Sequence, residues 1–410
     1  MFKEILDSLN AATAYKEGDM LSPLSKGYVP LPLTFDKFHA ISSLNTKPVL
    51  ATRLCFVDGG SAELITAPNF SLSFIRAYAH VMLNNKTLDE KKIEFYCLAK
   101  TKVKEKKIYY EVRFFSTEGI ELNTDNDHHD DYNHDNYHHD NEEGFEDGFY
   151  SALPDKDDLE IFSFDSSLSV GENRVEISRL NDVVRRFTEL RLGAIMTNDL
   201  KQGDVIILDG NLRATFINEQ KYLDKLYEKA SAKNILVTAL AKTSTLLTES
   251  GNNIISVISH MANSAENASK LNSICWYYFP LFQISDPKHR AELMFVKINA
   301  ISEYIFRFEI FVDASVPCAD QHKLCTESIF DAEKSLNFEK LNDILSLLED
   351  NSRDYSFPGY PYGLVKADQI ARVSNHEKEY LRSKIMFSLG DDRQIAQCLK
   401  AMDAHDVLDR

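Results

Sequence analysis

Leu54-Cys55-Phe56-Val57-Asp58-Gly59-Gly60 and Val205-Ile206-Ile207-Leu208-Asp209-Gly210 repeat one pattern: four apolar residues, a carboxylate, then glycine. An unbroken apolar run bounded in this way reads as a strand covered on both faces. A carboxylate that closes such a run stands at the mouth of the sheet, where a following glycine lets backbone or ligand approach. Asp-Gly is also a common turn dipeptide, so spacing alone leaves both readings open.

Two further carboxylates belong with this pair. Glu189 lies on the helical stretch 172–199, whose stripe is Ile177, Leu180, Val184 and Phe187. Arg185 at i−4 offers it an ordinary helix ion pair, whereas Phe187, Leu190 and Leu192 argue that it is buried. Asp368 shares a helix face with Leu364, Val365 and Ala371, so it points where apolar side chains point. A buried Asp there needs a cation, donors or a metal. Two strand-end and two helical carboxylates can clamp a pair of divalent ions for phosphodiester hydrolysis. Lys242, just past the apolar strand 234–240, is placed either to contact a phosphate or to be a solvated lysine.

The rest of the chain frames these residues. The 410 residues, 44% hydrophobic and 11% aromatic, suit a soluble protein of one large or two ordinary domains. No apolar stretch is long enough to span a bilayer, and MFKEILDSLN reads as an amphipathic helix rather than a signal peptide. Six cysteines without framework spacing suit a reduced, cytoplasmic protein. Of the net charge of −17, residues 121–160 carry −14, which leaves −3 elsewhere. The acidity is thus a property of one insertion and says little about partners.

That insertion includes DNDHHDDYNHDNYHHDNEEGFEDG, residues 125–148, with His128, His129, His134, His138 and His139. It has almost no aliphatic side chains, so it is expected to be disordered, and a loose loop offers no fixed geometry for zinc or nickel. Cys318, His322 and Cys325 lack a second ligand pair at zinc spacing. Runs at 63–83, 93–102 and 107–116 read as an antiparallel meander, and 204–240 as β-α-β with parallel pairing. β-rich segments follow at 274–283, 291–299 and 304–313, then helices at 328–349, 361–373, 375–389 and 391–404. The expected architecture is α/β, a mixed sheet flanked by helices. Its layout is an N-terminal helix and linker over 1–50, a main domain over 51–375 and C-terminal helices over 376–410.

Several blocks, in order, resemble the NurA nucleases. They are Arg53-Leu-Cys-Phe-Val-Asp58-Gly-Gly-Ser61, Arg185-Arg-Phe-Thr-Glu189-Leu-Arg191-Leu-Gly-Ala194 and Val205-Ile-Ile-Leu-Asp209-Gly-Asn-Leu212. Ala239-Leu-Ala-Lys242-Thr-Ser244, the late strands around Arg307 and the segment from Phe357 through Tyr360 and Asp368 to Ala371 complete the set. Two features depart from the family: Gly60 stands before Ser61, and the acidic insertion has no counterpart.

The resemblance implies an RNase H-like core, a ring-shaped homodimer and manganese-dependent (alternatively magnesium-dependent) cleavage of DNA, with two ions per site. It implies 5′–3′ exonuclease and single-strand endonuclease action on single strands and duplex ends, with the HerA hexameric ATPase in double-strand-break resection. Asp58, Glu189, Asp209 and Asp368 would ligate metal, Tyr360 would position substrate or water, and Lys242 would steady the phosphate. Two rivals remain: a non-catalytic DNA-end clamp or ATPase adaptor, and a phosphotransferase. The latter is disfavoured by the lack of a Walker-type motif.

Overall fold

The computed structural model describes residues 2–12, 19–22, 32–41, 52–122, 151–169, 171–264, 268–280, 289–311, 335–353, 357 and 359–388. Residues 125–148, the expected disordered insertion, and the expected helix 391–404 lie outside the described residues. Twelve strands form one mixed sheet: β1 (Phe38–Ala40), β2 (Leu54–Ala67), β3 (Phe70–Leu83), β4 (Lys86–Lys104), β5 (Lys107–Phe115), β6 (Glu121–Leu122), β7 (Ile161–Phe162), β8 (Val205–Asp209), β9 (Leu236–Ala241), β10 (Trp276–Tyr278), β11 (Ala291–Lys297) and β12 (Phe306–Phe311). Their order is β1-β10-β11-β12-β9-β8-β2-β3-β4-β5-β6, and β7 pairs with β5.

Among the described residues only the centre of the sheet is parallel. Leu54–Val57 of β2 run beside Val205–Leu208 of β8, and β8 runs beside β9. The crossover from β8 to β9 is helix α3 (Glu219–Ala232), as the β-α-β pattern requires. From β2 outward the meander is antiparallel, closed by two-residue turns at Asn84-Asn85 and Glu105-Lys106, all at positive φ. The helices are α1 (Lys3–Ala12), α2 (Leu180–Met196), α3, α4 (Ile254–Asn263), α5 (Ala268–Leu271), α6 (Ser335–Asn351), α7 (Tyr362–Ala371) and α8 (Asn375–Ser388). Among the described residues none is long and apolar enough to cross a membrane.

Strand alternation divides the core. Cys55, Val57, Ile206 and Leu208 face α2 and α3, where Phe187, Leu190, Leu223 and Leu226 pack on them. Leu54, Phe56, Val205 and Ile207 face the other way, against Leu345 and Leu348 of α6 and Leu364, Ala367 and Ala371 of α7. The layers are helix, sheet, helix. Helix α8 lies farther along the meander, with Leu381 and Ile385 against Leu64, Phe74 and Tyr96.

Three expectations are corrected, and one helix lies outside them. Asp58-Gly59-Gly60 is neither a turn nor a strand end, because it lies inside β2, whose fourteen residues run from Leu54 to Ala67. The acidic stretch does not remain solvated as far as residue 160: Ala152, Leu153 and Leu159 are buried in the main core. The segment read as linker contributes an edge strand, β1, paired with β10. Helix α4 was not anticipated; it packs Ile254, Val257 and Ile258 on Trp276, Tyr278 and Phe295.

Candidate metal centre and active site

The parallel partner of β2 ends where its carboxylate begins. β8 pairs with β2 through Val57↔Leu208, and beyond that β2 is bonded on one side only, to β3. Asp58 therefore stands at a notch in the sheet, beside Asp209 at the last residue of β8. Its side chain shares the face of Phe56, which is the face covered by α7. That helix carries Asp368. Oxygens of Asp58, Asp209 and Asp368 all lie within 4.8 Å of one another.

The two glycines explain how the helices come so close. A Cβ on Gly60 would lie 2.1 Å from the backbone oxygen of Ala371, at the end of α7. On the opposite face, a Cβ on Gly59 would lie 2.5 Å from Glu189 Oε1. Each glycine admits one helix to the sheet. Gly210, at φ +114°, then turns the chain away after Asp209.

Three ionised carboxylates at this spacing repel by roughly 3 kcal/mol per pair at an effective dielectric of about 20. The consequence falls on the most buried of them. Desolvation, followed by the charges of Asp209 and Glu189, pushes the Asp58 carboxyl up to about 8, although the Gly59 N–H donates to it at 2.7 Å. Lys242 Nζ answers part of the negative charge, donating to Asp209 at 2.9 Å and to Asp368 at 3.5 Å. Burial alone would lower the lysine's pKa; Asp209 and Asp368 outweigh it and raise it, so the ammonium stays charged. Arg372 pairs with the far oxygen of Asp368.

Tyr360 sits across from Lys242, whose Nζ lies 5.1 Å from its ring centre. Burial and then the charge of Asp209 raise the phenol, so its hydroxyl keeps the proton it directs at Asp209 Oδ1, 3.4 Å away. Asp368 is less enclosed than its apolar stripe suggested, with a quarter of its side chain exposed (26%). An all-oxygen donor set with surplus negative charge fits a hard divalent cation such as Mn²⁺ or Mg²⁺.

Glu189 is placed differently. It is buried on the α2 face, ion-paired with Arg185 and, at 3.6 Å, with Arg186. Burial raises its pKa and the two arginines oppose the shift. It borders the site through Gly59 but does not belong to the group of three. Arg186 continues to Glu219 at 2.8 Å and to the carbonyl of Asn211 at 2.6 Å, which ties α2 to the loop after Asp209.

Sequence reasoning missed two supports of the site. Glu309, fully buried on β12, accepts from the backbone N–H of Leu212 and from Arg307 Nε, both at 2.6 Å, and so anchors the same loop. The alternation Phe306-Arg307-Phe308-Glu309 carries the signal: a cation and an anion share one face of an otherwise apolar strand. Arg76, opposite Gly60 on β3, donates to the carbonyls of Ile370 and Arg372 at 3.3 Å and pairs with Glu94 and Glu377. It satisfies the last carbonyls of α7 and fastens the helix that bears Asp368.

The NurA domain model matches residues 52–373 of the chain. The chain belongs to the NurA nuclease family. The match begins one residue before Arg53 and ends just past α7, so it takes in all six residues singled out for the site. No curated protein matches. Among solved structures, endonuclease V of Ciona intestinalis bound to a 24mer DNA aligns at 11% identity over 81% of this chain and 90% of that one, with a TM-score of 0.31. A variant of that enzyme with a 23mer DNA aligns at 10% identity over 93% and 99%, with a TM-score of 0.32.

Proposed function

We propose that this chain is a divalent-metal-dependent deoxyribonuclease. The observation that carries the reading is the convergence of Asp58, Asp209 and Asp368 within 4.8 Å, with Lys242 and Tyr360 on the same carboxylates. Two strands and one helix, remote in sequence, supply negative charge in excess of the local cations. Such a site accepts a divalent ion more readily than it accepts a phosphate alone.

Asp58, Asp209 and Asp368 would hold a divalent ion, Mn²⁺ or Mg²⁺; a second ion rests on the family resemblance alone, and Glu189 would have to exchange Arg185 and Arg186 for it. Bound there, divalent ions supply Lewis-acid stabilisation of the negative charge that develops on a phosphodiester. The chain's own groups do the rest. Lys242 places a half-exposed ammonium where a phosphate oxygen would enter, and Tyr360 keeps Asp209 oriented by a hydrogen bond from its neutral hydroxyl. Arg76 and Glu309 hold the helix and loop that set the spacing of the carboxylates.

Labelled single-stranded and duplex DNA incubated with Mn²⁺, Mg²⁺ or EDTA tests this. Cleavage should require the metal and vanish in Asp58→Asn and Asp209→Asn. Near-normal activity in both variants would overturn the assignment of these carboxylates, whereas DNA binding with no cleavage under either metal would leave a DNA-end clamp as the better reading. Family resemblance alone supports the finer proposals: 5′–3′ exonuclease and single-strand endonuclease action, a homodimer, and work with a HerA-type ATPase in end resection. Size exclusion with and without the ATPase checks the assembly, and end-labelled substrates check the polarity.

A further inference from the structure

The carboxyl edge that holds Asp209 and Lys242 also carries the loop 298–305. Antiparallel pairing sets it there, since Arg307 of β12 lies opposite Ala241 and Phe306 lies opposite Val296. The loop is tied down along its length. Asn299 Oδ1 accepts from the N–H groups of Ile301 at 2.9 Å and Ser302 at 3.1 Å, while its Nδ2 donates to the carbonyl of Ser352 at 3.1 Å. Ser302 Oγ accepts from Tyr304 N–H at 3.1 Å. The turn leading into α7 is seated on this loop: Gly359, at φ +96°, comes so near that a Cβ would lie 2.4 Å from Ser302 Oγ.

The described residues of these segments present large apolar groups to water. Tyr304 is 67% exposed, Ile301 90%, and Phe357, three residues before Tyr360, 45%. A lone exposed tyrosine calls for no explanation. Here, however, rings run continuously from the carboxylates outward. Lys242 lies over Tyr360, whose ring centre is 5.2 Å from that of Phe306, and Phe306 is 6.3 Å from Tyr304.

We propose that Tyr304 and Phe357 form a base-stacking platform for single-stranded DNA at the mouth of the carboxylate site. This rests on the nuclease reading above and adds which residues outside the carboxylate site would grip the strand. An unpaired strand offers π-faces that a duplex keeps stacked inside, and exposed aromatics grip it without regard to sequence. The charge balance favours this grip. Outside the acidic stretch the chain has a net charge near zero, −3 of the total −17, so capture through phosphates alone is weak. A rim already held by hydrogen bonds also loses little freedom when a base settles on it.

The test uses the full chain carrying Asp209→Asn, so that substrate survives, with Mg²⁺ and fluorescein-labelled oligo(dT) or a blunt duplex of equal length. Tyr304→Ala with Phe357→Ala should weaken oligo(dT) binding by about 5- to 100-fold while duplex binding changes less than about twofold. Tyr304→Trp should bind like the parent, and an oligonucleotide of abasic residues should bind the parent as weakly as oligo(dT) binds the double variant. Unchanged oligo(dT) affinity, equal loss on duplex, or a Trp variant as weak as Ala overturns the platform. Loss of ATPase capture with DNA binding intact would also overturn it and make the rim a protein contact. A parent that binds neither DNA removes the nuclease reading itself. A parent that binds and, with Asp209 restored, cleaves while the rim variants stay silent removes only the platform.

Discussion

The two faces of β2 hold two carboxylate groups of opposite character. On the α7 face, Asp58, Asp209 and Asp368 crowd within 4.8 Å and share Lys242 and Arg372 as cations. On the α2 face, Glu189, Glu219 and Glu309 are each matched by a buried or half-buried arginine at ion-pair distance. The second group is neutralised by the fold and serves to hold elements together. The first is left short of positive charge, and that deficit marks it for a metal. Burial alone does not separate structure from chemistry here; charge balance does.

Substitutions that remove one carboxyl charge should therefore act in opposite ways on the two faces. Asp58→Asn or Asp209→Asn should cost about 10³-fold in cleavage, several kcal/mol of lost transition-state stabilisation, while the melting temperature without metal holds or rises. Metal-dependent turnover and thermal melts on the same preparations read both effects. A variant that loses activity and stability together would erase the distinction.

Glu309→Gln should instead destabilise the fold by about 3–5 kcal/mol, because it removes the counter-charge from a buried ion pair with Arg307; Glu189→Gln should cost less, because Arg186 keeps Glu219 and Arg185 is partly exposed. Urea unfolding measures this directly. If Glu189→Gln unfolds normally but loses cleavage, Glu189 belongs with the metal group rather than with the arginines.

His80 sharpens the comparison through pH. It is fully buried on the α7 face, stacked on Phe56 and Tyr78, with Lys366 and Glu90 the charged groups nearby. Burial, and then Lys366, lower its pKa to about 4 from the ordinary 6.5. Below pH 6.5 the unfolded chain takes up a proton that the folded chain refuses. Stability is then complete above pH 6.5 and declines as pH falls toward 4, by up to about 3 kcal/mol. Unfolding curves at pH 7.5, 5.5 and 4.5 should show this slope, and His80→Phe should flatten it.

The smallest contrast lies between adjacent glycines. Gly60→Ala drives a methyl into the backbone oxygen of Ala371 and must shift α7, at about 1–3 kcal/mol and with loss of the carboxylate spacing. Gly59→Ala meets side chains rather than backbone, Glu189 Oε1 at 2.5 Å and Cγ at 2.8 Å and Arg185 Cγ at 3.1 Å, and side chains give more readily than the end of a helix. Melting and cleavage should suffer more at Gly60. Equal effects would mean that α2 is as fixed as α7.

Much of this arrangement was legible in the chain, for reasons that differ by residue. Val205–Leu208 and Leu54–Val57 are apolar at every position, as in strands covered on both faces, and the β-α-β passage gave the parallel pairing of β8 with β9, whereas the parallel pairing of β2 with β8 was not legible. The carboxylates that follow were visible because charge at the end of such a run is conspicuous. Glu309 was not, since a glutamate between two aromatics says nothing until Arg307 and Leu212 N–H are seen to meet it. The continuation of β2 was hidden by Gly59-Gly60, because local preference for a turn yields when two helices and a neighbouring strand hold the chain straight.

The sequence by itself determined the layering and the candidate ligands, because apolar periodicity and charge placement are local properties of the chain. Tertiary structure decided which carboxylates meet and which are neutralised. Asp58, Asp209 and Asp368 are separated by 151 and 159 positions, and Coulomb energy depends on distances of a few ångströms that packing alone sets. Glu189, with Arg185 at i−4, was already the weaker of the two helical candidates in the sequence. Its helix, packed on the opposite face, brought two arginines to it instead.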